Sequence, residues 1–302
     1  MTPAVLVAAG SDIPKSKNSI LSLIKHTNIT KFYLIFPEKD RKQAEILKKD
    51  LGEFNVELIT ENNIYEGLNI CKIKKILKNS LPSWPENHLA GWYFQQFLKM
   101  SFSLSEYCVY EKYLIWDADT ILLRPIVFEE GEKILFRQGN EYHKFYFKTM
   151  SRWLEPARHQ SVSHISQHML INSRHMRELI GVIEMSGRVE WWAHIIETLS
   201  GENPFEFSEY ETYSNYCLSQ HGDKYISRKS NWFRFGHAYL GTGMPANKMV
   251  KLSKIYDFVA IEKWDTGLIR KIRSHTLVNW HYIIYAISKL ISKKIKTSTN
   301  IY

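Results

Sequence analysis

Short apolar runs alternate with amphipathic segments near the start of the chain, and this alternation constrains the fold more than any other feature. Residues 4–9, 32–36 and 56–60 are apolar runs bounded by polar residues, as expected for strands buried on both faces. The intervening segments, 18–26 and 41–51, carry apolar residues at helical spacing. This order of strand, helix, strand, helix, strand predicts an α/β fold with a mostly parallel sheet flanked by helices.

A fourth strand is predicted at 113–116, after an aromatic-rich segment of helical length at 92–104. It ends on two aspartates, Asp117 and Asp119, within the sequence YLIWDADTILLRP. In open α/β sheets ligands bind beyond the carboxyl ends of the strands, so both aspartates are candidate site residues. From residue 151 onwards the composition predicts mainly helices.

Charge and cysteine content restrict the class of protein. The formal net charge of +9 favours an anionic partner, such as a nucleotide, a phospholipid, a nucleic acid or an acidic glycan. Cys71, Cys108 and Cys217 are widely separated, which fits neither a disulfide framework nor a zinc site of paired thiolates, so we expect a cytoplasmic protein. The N-terminus is predicted to be a strand rather than a signal peptide. No apolar run reaches the roughly 18 residues of a membrane span.

The two aspartates stand at positions i and i+2, so in an extended segment their side chains point the same way. Together they could hold one Mg²⁺ or Mn²⁺, which proteins usually bind through one or two carboxylates, waters and phosphate oxygens. A solvated turn is the alternative interpretation. The apolar residues on both sides favour the cation, because two unpaired carboxylates are costly to bury at the end of an interior strand.

The segment WDADT, followed by apolar residues and Arg124-Pro125, resembles the D-x-D signature of glycosyltransferases with the Rossmann-like GT-A fold. Three further segments resemble a bacterial family associated with the biosynthesis of surface polysaccharides, capsule or lipopolysaccharide. They are GWYFQQFLK at 91–99, HISQHML at 164–170 and SEYETY at 208–213. The resemblance covers residues 4 to 260. It implies a hexosyltransferase-type enzyme that moves a sugar from a UDP-linked or similar nucleotide sugar to a glycan or lipid-linked acceptor.

The resemblance also implies a metal site and its ligands. Asp119 would bind Mn²⁺ or Mg²⁺ directly, whereas Asp117 would bind the metal through water or hold the ribose and sugar of the donor. His237, in a glycine-rich segment, is the first choice for a third ligand and His281 the second. A hydrogen-bonded loop histidine remains the alternative for His237.

Donor-binding residues are expected at two places. The first is the turn after the first strand, where this fold commonly contacts the nucleoside, although a plain turn would have the same sequence. The second is the helix before the fourth strand, whose polar residues could reach the nucleotide or could simply face water. The candidates are Ala9, Gly10, Ser11, Asp12, Gln95, Gln96 and Lys99.

Catalytic candidates lie further along the chain. Glu209 or Glu211 could deprotonate the acceptor hydroxyl, with Ser208 and the acidic first turn marking a helix N-terminus. Capping alone is the alternative role. His168 is expected on the acceptor side of the cleft, or else in ordinary helix packing. A zinc protease is excluded, because Gln167 stands where the H-x-x-E-H motif needs its glutamate.

We expect a single GT-A-like catalytic domain over residues 1–270, with a nucleotide-sugar half at 1–125 and an acceptor half at 126–270. Residues 271–302 are predicted to be a basic amphipathic helix, with lysines clustered towards its end. That helix could lie on the anionic inner face of the cytoplasmic membrane or could dock on the domain.

Two other functions stay open. A sugar-phosphate nucleotidyltransferase would share the sheet and the metal, but it usually has a glycine-rich basic loop after the first strand, and AAGSDIPKSK is only a faint version. A nucleic-acid-binding protein would explain the positive charge, yet basic and aromatic residues do not form a recognisable module. We therefore expect no nucleic-acid partner.

Overall fold

A computed structural model describes residues 2–139, 141–155, 162–241, 243–262 and 265–299. In chain order the strands β1 to β11 are Ala4–Val7, Lys31–Phe36, Asn55–Thr60, Lys112–Trp116, Thr120–Leu122, Glu129–Glu130, Lys133–Gln138, His168–Asn172, Tyr225–Lys229, Trp232–Phe233 and Phe258–Ala260. The helices α1 to α11 are Asp12–His26, Arg41–Asp50, Ile70–Ser80, Glu86–Ser101, Lys144–Met150, Ser173–Met185, Trp191–Glu197, Glu209–Gln220, Gly236–Leu240, Ala246–Ser253 and Leu268–Thr299.

The main sheet has five strands in the order β3-β2-β1-β4-β8. The first four are parallel, with Ala4 opposite both Phe32 and Leu114, and β8 runs antiparallel to β4. The α/β fold with a mostly parallel sheet is therefore confirmed. β1 and nearly all of β2 and β4 are buried, because helices cover a parallel sheet on both faces.

The chain divides into two compact units that are both discontinuous in sequence. Unit 1 comprises residues 1–20, 29–118 and 127–230, and unit 2 comprises residues 21–28, 119–126 and 231–302. Unit 1 contains the five-stranded sheet and the small sheet β6-β7-β9. Unit 2 contains the sheet β10-β11-β5 and the helices α9, α10 and α11.

Unit 2 has a hydrophobic core of its own, to which β5, β11, α10 and α11 all contribute. Leu252, Val259 and Val278 are completely buried in this core. The side chain of His281 in α11 also bonds to unit 2, with its Nδ1 2.6 Å from the hydroxyl of Tyr256. The first half of the C-terminal helix is therefore docked on unit 2.

Several elements differ from the sequence-based expectations. α1 begins at Asp12 rather than residue 18, because Pro14 falls in the first turn, where its missing N–H costs nothing. The region after residue 151 contains helices but also strand β8, which includes His168. His168 therefore lies on a strand and not in helix packing. Within the described residues, no helix is long and apolar enough to cross a membrane.

Candidate active site

Asp117 directly follows β4 and is held at two points in unit 1. Its backbone N–H donates to the carbonyl of Gln167, at 2.9 Å. Its Oδ1 accepts hydrogen bonds from Lys99 Nζ at 2.6 Å and from the Tyr210 hydroxyl at 2.9 Å. Among the described residues no hydrogen bond reaches Oδ2, and the side chain is 14% exposed. One oxygen of this carboxylate is therefore fixed and the other is available to a ligand.

Lys99 joins Asp117 to a second carboxylate. Its Nζ lies 2.7 Å from Glu209 Oε1 and 4.8 Å from the centre of the Tyr210 ring. We call Lys99, Asp117, Glu209 and Tyr210 the Lys99 cluster. Lys99 and Glu209 are almost completely buried. With one cation and two carboxylates, the ionised cluster has a net charge of −1.

The charges of the cluster depend on one another. Burial alone would lower the pKa of Lys99, but Asp117 and Glu209 more than offset this effect and hold the pKa above its usual range. Burial raises the pKa of Glu209, and Lys99 opposes that increase while Asp117 adds to it. Lys99 is therefore a permanent cation, and each carboxylate depends on it for its stability in the interior.

Helices α4 and α8 position the cluster. The Gln96 side chain bridges them, because its Oε1 accepts from Glu209 N–H at 3.1 Å while its Nε2 donates to the carbonyl of Trp92. The Ser208 Oγ accepts from Glu211 N–H, so the predicted N-terminus of α8 is confirmed. The sequence put Lys99 and Gln96 on the donor side. The structure shows them bonded to protein groups, and their donor-binding role stays a prediction.

The other predicted donor residues also lie in unit 1, where Gln95 is part of α4 and residues 9–12 form the turn after β1 and the start of α1. Gln95 is half-buried, and its side chain makes no hydrogen bond to any described residue. Ala9 and Ser11 are exposed in the turn after β1, where the Gly10 N–H donates to Asp40 Oδ2 at 2.8 Å. Gly10 has a φ of +53°, which a residue without Cβ adopts freely. Asp12 forms an ion pair with Lys15 at 3.0 Å.

Two further catalytic candidates are buried. Glu211 is 1% exposed, and its Oε2 lies 3.5 Å from Asn215 Nδ2. His168 is 2% exposed, packs on Trp116 with 4.9 Å between ring centres, and has Nδ1 2.9 Å from the carbonyl of Ser166. Burial lowers the pKa of His168 to about 3, so its imidazole is neutral at physiological pH.

Asp119 and His237 belong to unit 2. The backbone carbonyl of Asp119 accepts from Ile261 N–H at 2.9 Å. His237 lies in α9, and its Nδ1 is buried without a hydrogen-bond partner among the described residues. Asp265, which the sequence did not suggest, bonds the same helix, since its Oδ2 accepts from Ala238 N–H at 2.9 Å. Its Oδ1 is also buried and lacks a hydrogen-bond partner within the described part of the chain.

The side chains of Asp119, His237 and Asp265 have the donor atoms of a divalent-cation site, although among the described residues these atoms do not gather within 4.8 Å of one another. An imidazole nitrogen and carboxylate oxygens suit Mn²⁺, and carboxylates suit Mg²⁺. The buried, unsatisfied atoms of His237 and Asp265 are the kind of groups that a cation would satisfy. The unit boundary falls between Ala118 and Asp119. The alternative third ligand, His281, already bonds to Tyr256 in unit 2.

A different group of ligand-type atoms lies in unit 1. One atom from each of His175, Glu178 and His221 lies within 4.8 Å of the others. The rings of His175 and His221 are stacked, with 3.7 Å between centres and an angle of 4°, and His221 Nε2 lies 2.9 Å from Glu178 Oε2. Nitrogen lone pairs lie in the ring plane, so those of parallel rings do not converge on one ion. We therefore interpret this group as a stacked pair bonded to a carboxylate.

The sequence missed two residues near the candidate site. Tyr210 stands in SEYETY, where the neighbouring glutamates carry the stronger chemical signal. Asp265 precedes Thr266-Gly267, and an Asp before Thr-Gly is typical of a turn. Only the contacts of their side chains distinguish them from ordinary tyrosines and turn residues.

Comparisons with known proteins give a family and several structural likenesses. Similar solved structures include mouse xyloside xylosyltransferase 1 in the apo form, with 11% identity and a TM-score of 0.46 over 88% of this chain and 99% of that chain. They also include the glycosyltransferase GlyE of Streptococcus pneumoniae TIGR4, with 13% identity and a TM-score of 0.44 for its apo form, and 12% and 0.46 for a second structure.

The alignments with GlyE cover 97% of this chain but only 64% and 65% of the GlyE chains. No curated protein sequence matches. The model of DUF6492, described as a family of unknown function, matches residues 17–284. Because this match spans most of the chain, the protein belongs to the DUF6492 family.

Proposed function

We propose that this protein is a metal-dependent glycosyltransferase that moves a sugar from a nucleotide-sugar donor to a bacterial surface glycan or a lipid-linked acceptor. The observation that carries the proposal is Asp117 at the carboxyl end of β4. One of its oxygens is held by Lys99 and Tyr210, and the other has no hydrogen bond from the described residues. A rigid carboxylate at this edge of a parallel sheet is suited to bind a ligand.

The charge of the Lys99 cluster supports a cationic ligand. One buried lysine neutralises only one of the two carboxylates that it contacts. A cation near Asp117 would balance the second negative charge. At ~4 Å and an effective dielectric constant of ~20, one such pair of charges is worth ~4 kcal/mol.

In this proposal Asp119 binds Mn²⁺ or Mg²⁺ directly, and His237 and Asp265 are further ligands in unit 2. The cation would neutralise the charge that develops on the nucleoside diphosphate as it leaves. Asp117, in unit 1, would use its available oxygen for hydroxyl groups of the donor. Gln95 and the turn 9–12 contact the nucleotide, which we propose to be UDP. Gln96 and Lys99 support this donor site through their bonds to protein groups.

Glu209 could act as the catalytic base or as a positioning residue, and its burial and its bond to Lys99 distinguish between these two roles. As the predicted base it would accept the proton of the acceptor hydroxyl, and the raised pKa of its carboxyl favours proton acceptance. However, Glu209 is 4% exposed and bonded to Lys99. We therefore propose that it is a positioning residue that fixes Lys99 and, through it, Asp117. Glu211 and His168 remain candidates for the acceptor side.

The proposal includes a location in the cytoplasm. Cys71, Cys108 and Cys217 are all free thiols. Free thiols persist in a reducing compartment such as the cytoplasm.

The test is a donor screen that measures the release of nucleoside diphosphate with Mn²⁺ or Mg²⁺. We expect turnover with at least one nucleotide sugar and a decrease of about a thousandfold in Asp119→Ala, because ~4 kcal/mol corresponds to that factor. Asp117→Asn should also lose activity and metal-dependent binding of UDP, measured by calorimetry. The matched control is Asp50→Asn, which alters an exposed ion pair with Lys17 in unit 1.

Two results would contradict the proposal. The first is the absence of turnover with every nucleotide sugar, and the second is full activity of Asp119→Ala. Release of pyrophosphate from a nucleoside triphosphate and a sugar phosphate would identify a nucleotidyltransferase instead. Tight, salt-sensitive binding of single-stranded nucleic acid would instead favour a nucleic-acid-binding protein.

A further inference from the structure

Helix α11 exposes a wide apolar face on the side away from unit 2. Ser274 and Val278 on its docked side are completely buried. At 100° per residue the exposed apolar side chains fall within an arc of about 160°. The exposed residues, some of them 60–82% accessible, are Leu268, Ile269, Ile272, Trp280, Ile283, Ile284, Ile287, Leu290 and Ile291.

Such a face is unusual for a helix that water alone surrounds. A helix packed on a domain normally places its apolar residues against the core and polar residues outside. Here both sides of α11 are apolar, although no described residue covers the outer one. A contiguous exposed apolar surface of this kind marks a binding surface.

The charge distribution identifies the kind of partner. Unit 2 has 14 Lys and Arg residues against 4 Asp and Glu, a formal net charge of +10, while unit 1 has 26 against 27 and a net charge of −1. All of the excess positive charge of the protein therefore lies in the unit that carries α11. The helix itself contains no acidic residue, and Arg270, Lys271, Arg273 and Lys289 are exposed on it.

The same charges disfavour a second copy of this chain as the partner. Packing two α11 helices together would bring two units of charge +10 close to each other, and neither helix has an acidic residue that could pair with the basic residues of the other. The apolar arc is also wider than the narrow seam of a two-stranded coiled coil. An apolar face bordered by basic residues is instead typical of helices that lie in the surface of an anionic bilayer.

We infer that α11 binds the surface of an anionic membrane. Its isoleucine and leucine side chains enter the upper acyl region, and Trp280 lies at the level of the headgroups, where indole rings are favoured. Arg270, Arg273 and Lys289 pair with lipid phosphates. This inference is independent of the proposed sugar transfer, since it rests on the exposed face of α11 and on none of the residues proposed to bind the donor, the metal or the acceptor.

The test is co-sedimentation of the full-length protein with lipid vesicles. We expect binding to vesicles that contain phosphatidylglycerol and little binding to pure phosphatidylcholine. The double variant Ile283→Ser/Ile287→Ser should bind at least tenfold more weakly. The control is Val109→Ser/Met185→Ser, which removes two apolar side chains of unit 1 that are even more exposed than Ile283 and Ile287, and it should bind like the wild type.

A second double variant separates the contribution of charge to membrane binding from that of apolar contact. Arg270→Gln/Lys289→Gln should weaken binding and make it less sensitive to salt. Circular dichroism verifies that each variant is folded. Because Trp280 is expected to enter the headgroup region, its fluorescence should shift to shorter wavelength with anionic vesicles, and Trp280→Phe should lose that shift.

Three outcomes would overturn the inference. One is a wild-type protein that does not bind anionic vesicles, and another is equal binding by Ile283→Ser/Ile287→Ser. The third is a stable dimer in sedimentation equilibrium that this same double variant abolishes, because the apolar face would then belong to an interface between two copies.

Discussion

At the scale of single residues, the candidate site depends on a lysine rather than on the carboxylates that the sequence makes conspicuous. Lys99 contacts Asp117 and Glu209, which are 92 positions apart in the sequence, and all three lie where water is largely excluded. A buried charge is stable only if it is paired, so the three residues act as one unit. The geometry of Asp117 is therefore set by residues from α4 and α8.

The first prediction concerns this lysine. Lys99→Met leaves two buried carboxylates without a cation and should lower the free energy of unfolding by about 3–5 kcal/mol. Urea denaturation measures the loss. Adding Glu209→Gln to Lys99→Met should recover part of it, because one of the unpaired charges is removed. Lys15→Met is the control, since the pair with Asp12 is exposed and should contribute less than about 1 kcal/mol. Equal stability of Lys99→Met and wild type would contradict the buried ion pair.

The second prediction concerns pH and His164. Its ring nitrogens lie 3.1 Å from Ser214 Oγ and 2.9 Å from Ser227 Oγ, and burial lowers its pKa to about 4. The folded state thus prefers the neutral ring. The stabilisation is complete above the unfolded pKa of roughly 6.5 and is lost as the pH falls from there towards 4.

Over this interval the loss should amount to about 2–3 kcal/mol. Unfolding measured at a series of pH values in urea tests this. The glutamine of His164→Gln does not titrate in this pH range, so the free energy of unfolding of this variant should fall less between pH 6.5 and 4 than that of the wild type. Parallel curves for the two proteins would show that His164 does not titrate with folding.

At the scale of helices and strands, close contacts between backbones determine where an element lies, which its local helix or strand propensity does not. The Gly236 position lies so near β11 that a Cβ there would be 2.3 Å from the Ala260 carbonyl oxygen. The glycine therefore lets α9, with His237, lie against the strand. β8 is a comparable case, because HMLIN has the composition of a short helix or strand, and pairing with β4 decides the outcome.

The third prediction follows from Gly236. Gly236→Ala must push α9 away from β11, and we expect a loss of about 1–3 kcal/mol in unfolding free energy, together with weaker metal binding through the displaced His237. Thermal unfolding measures the first effect and titration with Mn²⁺ the second. Gly222→Ala is the matched control, because a Cβ at that position meets nothing within 4 Å. Similar unfolding temperatures for the two variants would contradict the close contact.

At the scale of the whole molecule, the two units differ in charge, and both are discontinuous in sequence. Each is assembled from three separate stretches of chain, so no boundary in composition reveals them. The basic residues are spread through the sequence, but folding leaves unit 1 nearly neutral and concentrates the excess in unit 2. The Lys99 cluster lies in unit 1, whereas the membrane binding proposed for α11 rests on unit 2.

The sequence by itself determined the α/β class, the order of the first strands and helices, the N-terminus of α8 and the position of Asp117 at the end of β4. These features follow from apolar periodicity and capping, which act over a few residues. Only the tertiary structure decided that Lys99 joins Asp117 to Glu209, that Tyr210 bonds Asp117 while Asp265 bonds the helix of His237, and which side of α11 is exposed. Contacts between segments about 90 residues apart depend on how the elements pack, and no local pattern encodes them.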